Sequence, residues 1–276
     1  MPDTGATNLS RFIRENPRLT ILSGAGCSTA SGIPDYRDDL GKWKHRQPMQ
    51  FSDFVNNANN RRRYWAQSFA GWSRIANAKP NRAHLAIARL EKLGFVNCVV
   101  TQNVDDLHKS AGSRRVIDLH GILHRIRCLQ CDATETRKSF QQKLREENPH
   151  WDTKISAIAP DGDAKLSRKD FATFNVPGCA LCKGILKPDV VFFGEPVPGD
   201  RVSDAQQYLQ QSDALLVVGS SLMVFSGYRF ARSACASGKP IAIVNRGTTR
   251  ADDLATCKIT DDCADVLSQT VDILAA

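Results

Sequence analysis

The sequence predicts an α/β protein, a doubly wound parallel sheet that carries a second, smaller part. Three observations predict it. Short apolar runs rich in Val, Ile and Leu recur without polar alternation, as in strands buried on both faces. Helical patterns separate them, an order that builds a parallel sheet. Two segments then break the rhythm, one rich in aromatic rings and one holding two Cys-x-x-Cys pairs.

Strands are expected at residues 19–23, 96–101, 116–119, 214–219 and 241–245. Helices are expected at 80–93, where Pro80 opens a run with apolar residues at helical spacing, and at 204–211 and 228–237. Each strand ends in small or polar residues: Ser23-Gly24-Ala25-Gly26, Thr101-Gln102-Asn103-Val104-Asp105, His120-Gly121, Gly219-Ser220-Ser221 and Asn245-Arg246-Gly247. Ligands of open parallel sheets bind beyond the carboxyl ends of the strands, so these ends predict one shared crevice. Residues 42–75 read as helical, and most of their rings, Trp65 and Phe69 among them, are expected to pack a core. The stretch IAPDGDA at 158–164 predicts a flexible loop. There is no internal repeat.

The 276 residues suffice for one large domain carrying a smaller one. No run approaches the ~18 apolar residues of a membrane span. The first ten residues lack a basic segment followed by an apolar core, so no secretory signal is expected. The net charge of +8 favours anionic partners. The basic residues are scattered, however, and the triplet Arg61-Arg62-Arg63 is expected on a solvated helix face.

Nine cysteines, an odd number without a secretion signal, argue against a disulfide framework. Cys128-x-x-Cys131 and Cys179-x-x-Cys182 can present four thiolates tetrahedrally, as in a structural zinc site with no open position for catalysis. The 47 residues between the pairs exceed the ribbon spacing and are expected to form an insert of their own. Cys27, Cys98, Cys235, Cys257 and Cys263 are isolated and read as small buried apolar residues.

The stretch ILSGAGCSTASGIPDYR places Gly24 and Gly26 in a tight turn after the first strand, with Ser28 and Thr29 as candidate caps of a following helix. A strict dinucleotide fingerprint would have glycine at position 29, and Thr29 breaks it. No acidic residue ends the next strand either, which disfavours an ordinary dehydrogenase. Asn103 and Asp105 together can read a carboxamide, which offers one acceptor and two donors. His120 at a strand end is a candidate general base. The remaining histidines, including His45, His84, His108, His124 and His150, are given no role.

In combination, GAGCSTASGIPDYR, TQNVDDLH, DLHG, the two Cys-x-x-Cys pairs and GSSL resemble the sirtuin family of NAD-dependent protein deacylases, over about 20–267. GIPDYR, RYWAQSFAGW, KPDVVFFGE and SGYRF resemble its class II branch, which includes a mitochondrial sirtuin and many bacterial members. The resemblance implies a Rossmann-like domain of residues 1–41, 80–124 and 188–276. It adds a small domain made of a helical module, 42–79, and a zinc module, 125–187. It implies NAD as a co-substrate to be split, with a structural zinc on Cys128, Cys131, Cys179 and Cys182.

Residue by residue, the resemblance assigns Gly24, Ala25 and Gly26 to the pyrophosphate loop, Arg37 to the arginine that closes over the cofactor and Tyr36 to the cap on the nicotinamide side, with Thr29 and Asp35 as further cofactor-binding candidates. It assigns Gln102, Asn103 and Asp105 to the ribose and nicotinamide pocket. Gly219, Ser220, Ser221, Asn245, Arg246, Gly247 and Cys263 fall to the adenosine half. Val191, Phe192, Phe193, Gly194 and Glu195 match the segment that pairs with a substrate peptide. His120 and Asn103 are the catalytic candidates. The implied reaction has the acyl-lysine amide oxygen attack the nicotinamide ribose, with His120 then acting as base on a ribose hydroxyl. The Tyr-x-x-Arg signature of succinyl-selective members is absent, since Tyr64 is followed by Trp65-Ala66-Gln67. The expected partners are acylated-lysine proteins, with no specific nucleic acid and no membrane. A monomer is expected, in the cytoplasm or alternatively the mitochondrial matrix. Two other functions stay open: mono-ADP-ribosyl transfer on the same scaffold, and a non-catalytic zinc-ribbon protein that binds nucleic acid.

Overall fold

The computed structural model describes residues 4–44, 47–151, 155–158, 164–166 and 171–276. The chain opens with α1 (Gly5–Glu15) and β1 (Leu19–Ser23), followed by a 3-10 helix at Ala25–Ser31. Then come α2 (Phe51–Asn56), α3 (Ala58–Asn77), α4 (Arg82–Lys92), β2 (Val96–Thr101), α5 (Leu107–Ser110) and β3 (Val116–Asp118). The middle holds β4 (Gly121–Cys128), β5 (Thr134–Thr136), α6 (Arg137–Glu147), β6 (Ile155–Ile158), β7 (Ala164–Leu166) and β8 (Leu186–Val190). The last third is α7 (Gly199–Gln210), β9 (Ala214–Val218), α8 (Phe225–Ala236), β10 (Ile241–Val244), β11 (Cys257–Ile259) and α9 (Cys263–Ala275).

Six parallel strands form the main sheet in the order β11-β10-β9-β1-β2-β3. Its four central strands, β10, β9, β1 and β2, are buried on both sides, which is why they read as continuous apolar runs. Leu19, Ile21, Val99, Leu216 and Val218 pack under α1, α4 and α9. Leu22, Val100, Leu215, Val217 and Ile243 face the opposite way, toward α7 and α8. The strand order reverses direction between β1 and β9, and that is where an open sheet leaves a crevice.

Most of the expected elements are present with shifted ends. The helix expected from Pro80 starts at Arg82 because Asn81 caps it, its side chain accepting from Ala83 N at 2.8 Å. The helices expected from 204 and 228 begin earlier, at Gly199 and Phe225. Residues 42–50 hold no helix among those described, and the helical part of that segment is α2 and α3. A sixth sheet strand, β11, had not been expected. It is three residues long, carries a lysine and lacks an apolar run. Arg61 is not on a solvated face: its guanidinium donates to Phe54 O at 2.9 Å and Val55 O at 2.6 Å, closing the end of α2. Of the isolated cysteines, Cys235 is exposed and Cys257 half-buried; Cys27, Cys98 and Cys263 are buried. Residues 159–163 of the expected loop, and His45, lie outside the described residues.

A second, antiparallel sheet has the order β5-β4-β8. Rings from α2, α3 and α6 close over it: Phe54, Tyr64, Trp65 and Phe140 are buried together with Cys128, Cys179 and Leu186. The domain seams expected at 124/125 and 187/188 fall inside β4 and β8, which both belong to this small sheet; the chain leaves the main sheet between β3 and β4 and returns to it after β8.

Candidate active site

At the strand reversal two loops touch. Gly24 N donates to Val218 O at 3.0 Å and Gly26 N to Gly219 O at 2.8 Å. A Cβ on Gly24 would stand 2.6 Å from Ser220 Cβ, and one on Gly26 2.9 Å from Gly219 O. Gly219 itself has φ +59, with Cys27 N at 2.3 Å from its would-be Cβ. These glycines are required by loop-against-loop contact, a reason the sequence does not display. The following 3-10 helix is not capped by a side chain. Ser28 is buried inside it and donates to Asp105 Oδ2 at 2.7 Å, while Thr29 Oγ1 donates to Gly26 O at 3.0 Å. Neither is the cap that the sequence suggested.

The end of β2 supplies the polar groups beside this loop. Gln102 Nε2 donates to Ser220 Oγ at 2.7 Å, which ties β2 to the β9 loop. Asn103 Nδ2 donates to Gly24 O and to Ser28 Oγ, both at 3.0 Å. Its amide oxygen accepts no hydrogen bond among the described residues. Asp105 accepts from Ser28 and from Leu107 N at 3.0 Å, yet burial raises its pKa above the usual carboxylate range.

His120 follows β3. Its Nδ1 lies 2.9 Å from Gln102 O, and a carbonyl only accepts, so Nδ1 carries the proton. Nε2 is then the lone pair, and Ser226 Oγ at the start of α8 donates to it at 2.8 Å. Burial pulls the ring's pKa down to about 4; the Gln102 bond raises it, and Arg201 and Arg229 lower it further. The ring is thus neutral at pH 7, the state a general base needs.

Over the crevice lies the segment after the 3-10 helix. Arg37 stacks on Trp43 with 4.1 Å from Cζ to the ring centroid, and its Nη1 donates to Gly41 O at 2.7 Å. Asp35 pairs with Lys44 at 2.7 Å. Tyr36 and Trp43 meet Phe193 edge-on, at 6.3 and 5.7 Å between ring centroids. The same Phe193 accepts from Phe51 N at 2.8 Å, so this flap is joined to the 191–195 segment. Within that segment Val191 N donates to His120 O at 2.8 Å. The Phe192 N–H is taken by Glu195 Oε2 at 2.8 Å, and its ring is buried in the aromatic core. At the far end Asn245 Nδ2 donates to Gly247 O at 2.9 Å, Arg246 pairs with Asp262 at 2.9 Å, and Cys263 Sγ lies 3.7 Å from Gly26 O.

All the residues expected to bind cofactor or substrate line one cleft of about 720 Å³. The same cleft is lined by side chains to which the sequence reading gave no role: Trp43, Ser226, Arg229 and the buried Tyr64. Only the tertiary contacts mark them. His84 and His108 lie beneath the floor, their rings 4.9 Å apart, bonded to Ser28 and Ser23. Burial holds them neutral, near 4 and 3.

The four knuckle cysteines stand apart from the cleft. Their sulfurs lie 3.5 Å (Cys128–Cys182), 3.7 Å (Cys131–Cys179) and 3.4 Å (Cys131–Cys182) apart, and none is in a disulfide. A zinc ion with bonds of about 2.3 Å in a tetrahedron sets its sulfurs about 3.8 Å apart, so this set fits zinc with slight expansion.

A doubly wound sheet with its crevice at the strand reversal, joined to a four-thiolate zinc module, defines the class. The model of the Sir2 family matches residues 24–226. The chain is 54% identical over 261 residues to the NAD-dependent protein deacetylase 2 of Bradyrhizobium diazoefficiens, covering 95% of this chain and 96% of that protein. It is 46% identical over 262 residues to the NAD-dependent protein lipoamidase sirtuin-4, mitochondrial, of Bos taurus, covering 94% and 83%. Among solved structures, one described as "Sir2-p53 peptide-NAD+" superposes with a TM-score of 0.77 at 30% identity, over 96% of this chain and 97% of that one. This chain belongs to the Sir2 family.

Proposed function

We infer that this protein is an NAD-dependent protein-lysine deacylase, which splits NAD to nicotinamide and O-acyl-ADP-ribose while freeing the lysine. One observation carries the reading: a neutral His120 with its accepting nitrogen in the cleft, beside Asn103 and the Gly24–Gly26 loop. In this reading the Gly24-Ala25-Gly26 turn and Arg37 hold the pyrophosphate, and the Asn103 amide oxygen accepts from the carboxamide. Asp105, with Gln102, shapes the ribose and nicotinamide pocket. Gly219–Ser221, Asn245–Gly247 and Cys263 take the adenosine half. Val191–Glu195 receives the peptide by backbone pairing, through the groups that Glu195 and Phe51 leave unused.

His120 takes the proton of a ribose hydroxyl at Nε2, while the Gln102 carbonyl keeps Nδ1 protonated. Orientation and a dry, pre-arranged pocket supply most of the acceleration. Cys128, Cys131, Cys179 and Cys182 hold zinc, which cross-links the small sheet and takes no part in bond-making. Acidic short acyl groups are disfavoured at Tyr64, where no arginine follows three residues later. With this reading go a monomer acting in a reducing compartment, the cytoplasm, and the division into 1–41, 80–124 and 188–276 against 42–79 and 125–187.

The test is nicotinamide release from NAD against a panel of acyl-lysine peptides from acetyl to lipoyl. Release that depends on the acyl peptide, with O-acyl-ADP-ribose appearing, is expected. His120→Ala should slow deacylation by about 10³-fold and leave Tm unchanged. Release without peptide, with ADP-ribose gained by a protein acceptor, would replace the reading with mono-ADP-ribosyl transfer.

A further inference from the structure

His120 is held at both ring nitrogens, and the two holds differ in kind. Gln102 O at 2.9 Å from Nδ1 is backbone at the end of a buried strand and stays where the sheet puts it. Ser226 Oγ at 2.8 Å from Nε2 is a side chain that can rotate. The second position of α8 brings it there, 106 residues along the chain from His120. The placement is tight. A Cβ on the neighbouring Gly227 would stand 2.4 Å from Gln102 Oε1, so the start of α8 is pressed against the same strand end that carries the other hold. The Ser226 hydroxyl makes no other hydrogen bond among the described residues.

Nε2 has one lone pair, in the plane of the ring. A base must accept its proton there, and the Ser226 hydroxyl already fills that position. Ser226 and the reacting hydroxyl therefore compete for one site. We propose that Ser226 is a positioning residue: its hydroxyl keeps Nε2 of His120 aimed into the cleft and gives way to the ribose hydroxyl when substrate enters. The inference rests on the deacylase reading above for its kinetic consequence, and on geometry alone for the bond itself. The imidazole is then pre-oriented before substrate arrives, and the exchange trades one hydroxyl donor for another. No polar group is stranded in the exchange on the ring's side.

The role has a signature that a merely structural serine lacks. Nicotinamide release precedes the step that needs the base, so loss of the hold should spare the first and slow the second. Ser226→Ala is expected to lower the rate of O-acyl-ADP-ribose formation about 2- to 10-fold, the worth of one hydrogen bond. Exchange of labelled nicotinamide into NAD should stay near the wild-type rate, and Ser226→Thr should restore deacylation. The ¹⁵N resonance of His120 Nε2 should move in Ser226→Ala while that of Nδ1 stays. Equal loss of both steps, unchanged deacylation, or an unmoved Nε2 resonance would each overturn the proposal. Wild-type protein that releases no nicotinamide with any acyl peptide would refute the deacylase reading instead, and the resonance would still decide the bond.

Discussion

The two cores on either side of the cleft are built from different material. Under the main sheet the buried residues are aliphatic: Ile21, Leu22, Val99, Val100, Leu215 to Val218 and Ile241 to Val244. Around the small sheet they are rings: Phe54, Tyr64, Trp65, Phe140 and Phe192 form a chain of edge-on or tilted contacts, and Phe174 packs on Phe69 and Trp151. The first core has six strands in register, whose ladders satisfy the backbone and repeat the same packing. Branched aliphatic residues fill such layers well. The second core joins short strands to helices from distant parts of the chain, and large rings cover more area with fewer fixed residues. It also buries Arg137, 1% exposed, whose guanidinium lies 4.8 Å from the Trp72 ring and 5.6 Å from that of Trp65. A small core of this kind needs a cross-link, and Cys128 and Cys179 place one against it.

Removing that cross-link should part the two regions most clearly. Cys179→Ala should release the zinc, lower Tm by about 10 °C and expose the small core to protease while the main sheet stays protected. Metal analysis and limited proteolysis check this; retained zinc would refute the four-thiolate site. Acid should do the reverse and act on the main sheet, through His84 and His108. Their folded pKa values, about 4 and 3, lie below the usual 6.5 because burial disfavours the charged ring; for His108 the neighbouring His84 adds to it. Below pH 6.5 the unfolded chain binds protons that the folded one refuses, so stability falls with pH. Each ring contributes about 1.4 kcal/mol per pH unit until its folded pKa is reached. His120, also held near 4 by burial, adds a third such ring, so unfolding free energies from urea at pH 7 and 5.5 should differ by about 4 kcal/mol, and a flat profile would refute the buried neutral rings. The smallest effect is expected where the regions meet. Trp43→Ala removes the platform under Arg37 and should raise the KM for NAD about threefold, with Tm unchanged; an unaltered KM would mean the stack does not order the flap.

The sequence already carried the elements that physics makes local. β1 and β2 lie at 19–23 and 96–101 as expected, because a strand covered on both faces must be an unbroken apolar run. The knuckles were legible because two cysteines two residues apart suit one metal ion. β11 was not, since Cys257-Lys258-Ile259 is too short and too polar to declare itself and gains its place by pairing with β10. Nothing in the sequence marks Arg137, and only the approach of α3 encloses it between two tryptophans.

The same division holds at the site. By itself the sequence determined which residues end the strands and therefore which chemistry the crevice contains: glycines, an amide, a carboxylate and an imidazole. The tertiary structure alone decided how they are used. It set the loop contact that demands Gly24, Gly26 and Gly219, the Trp43 ring beneath Arg37, and the two hydrogen bonds that fix the tautomer of His120. Composition and spacing act over a few residues, whereas a close approach or a hydrogen bond between positions 120 and 226 exists only once the sheet has brought them together.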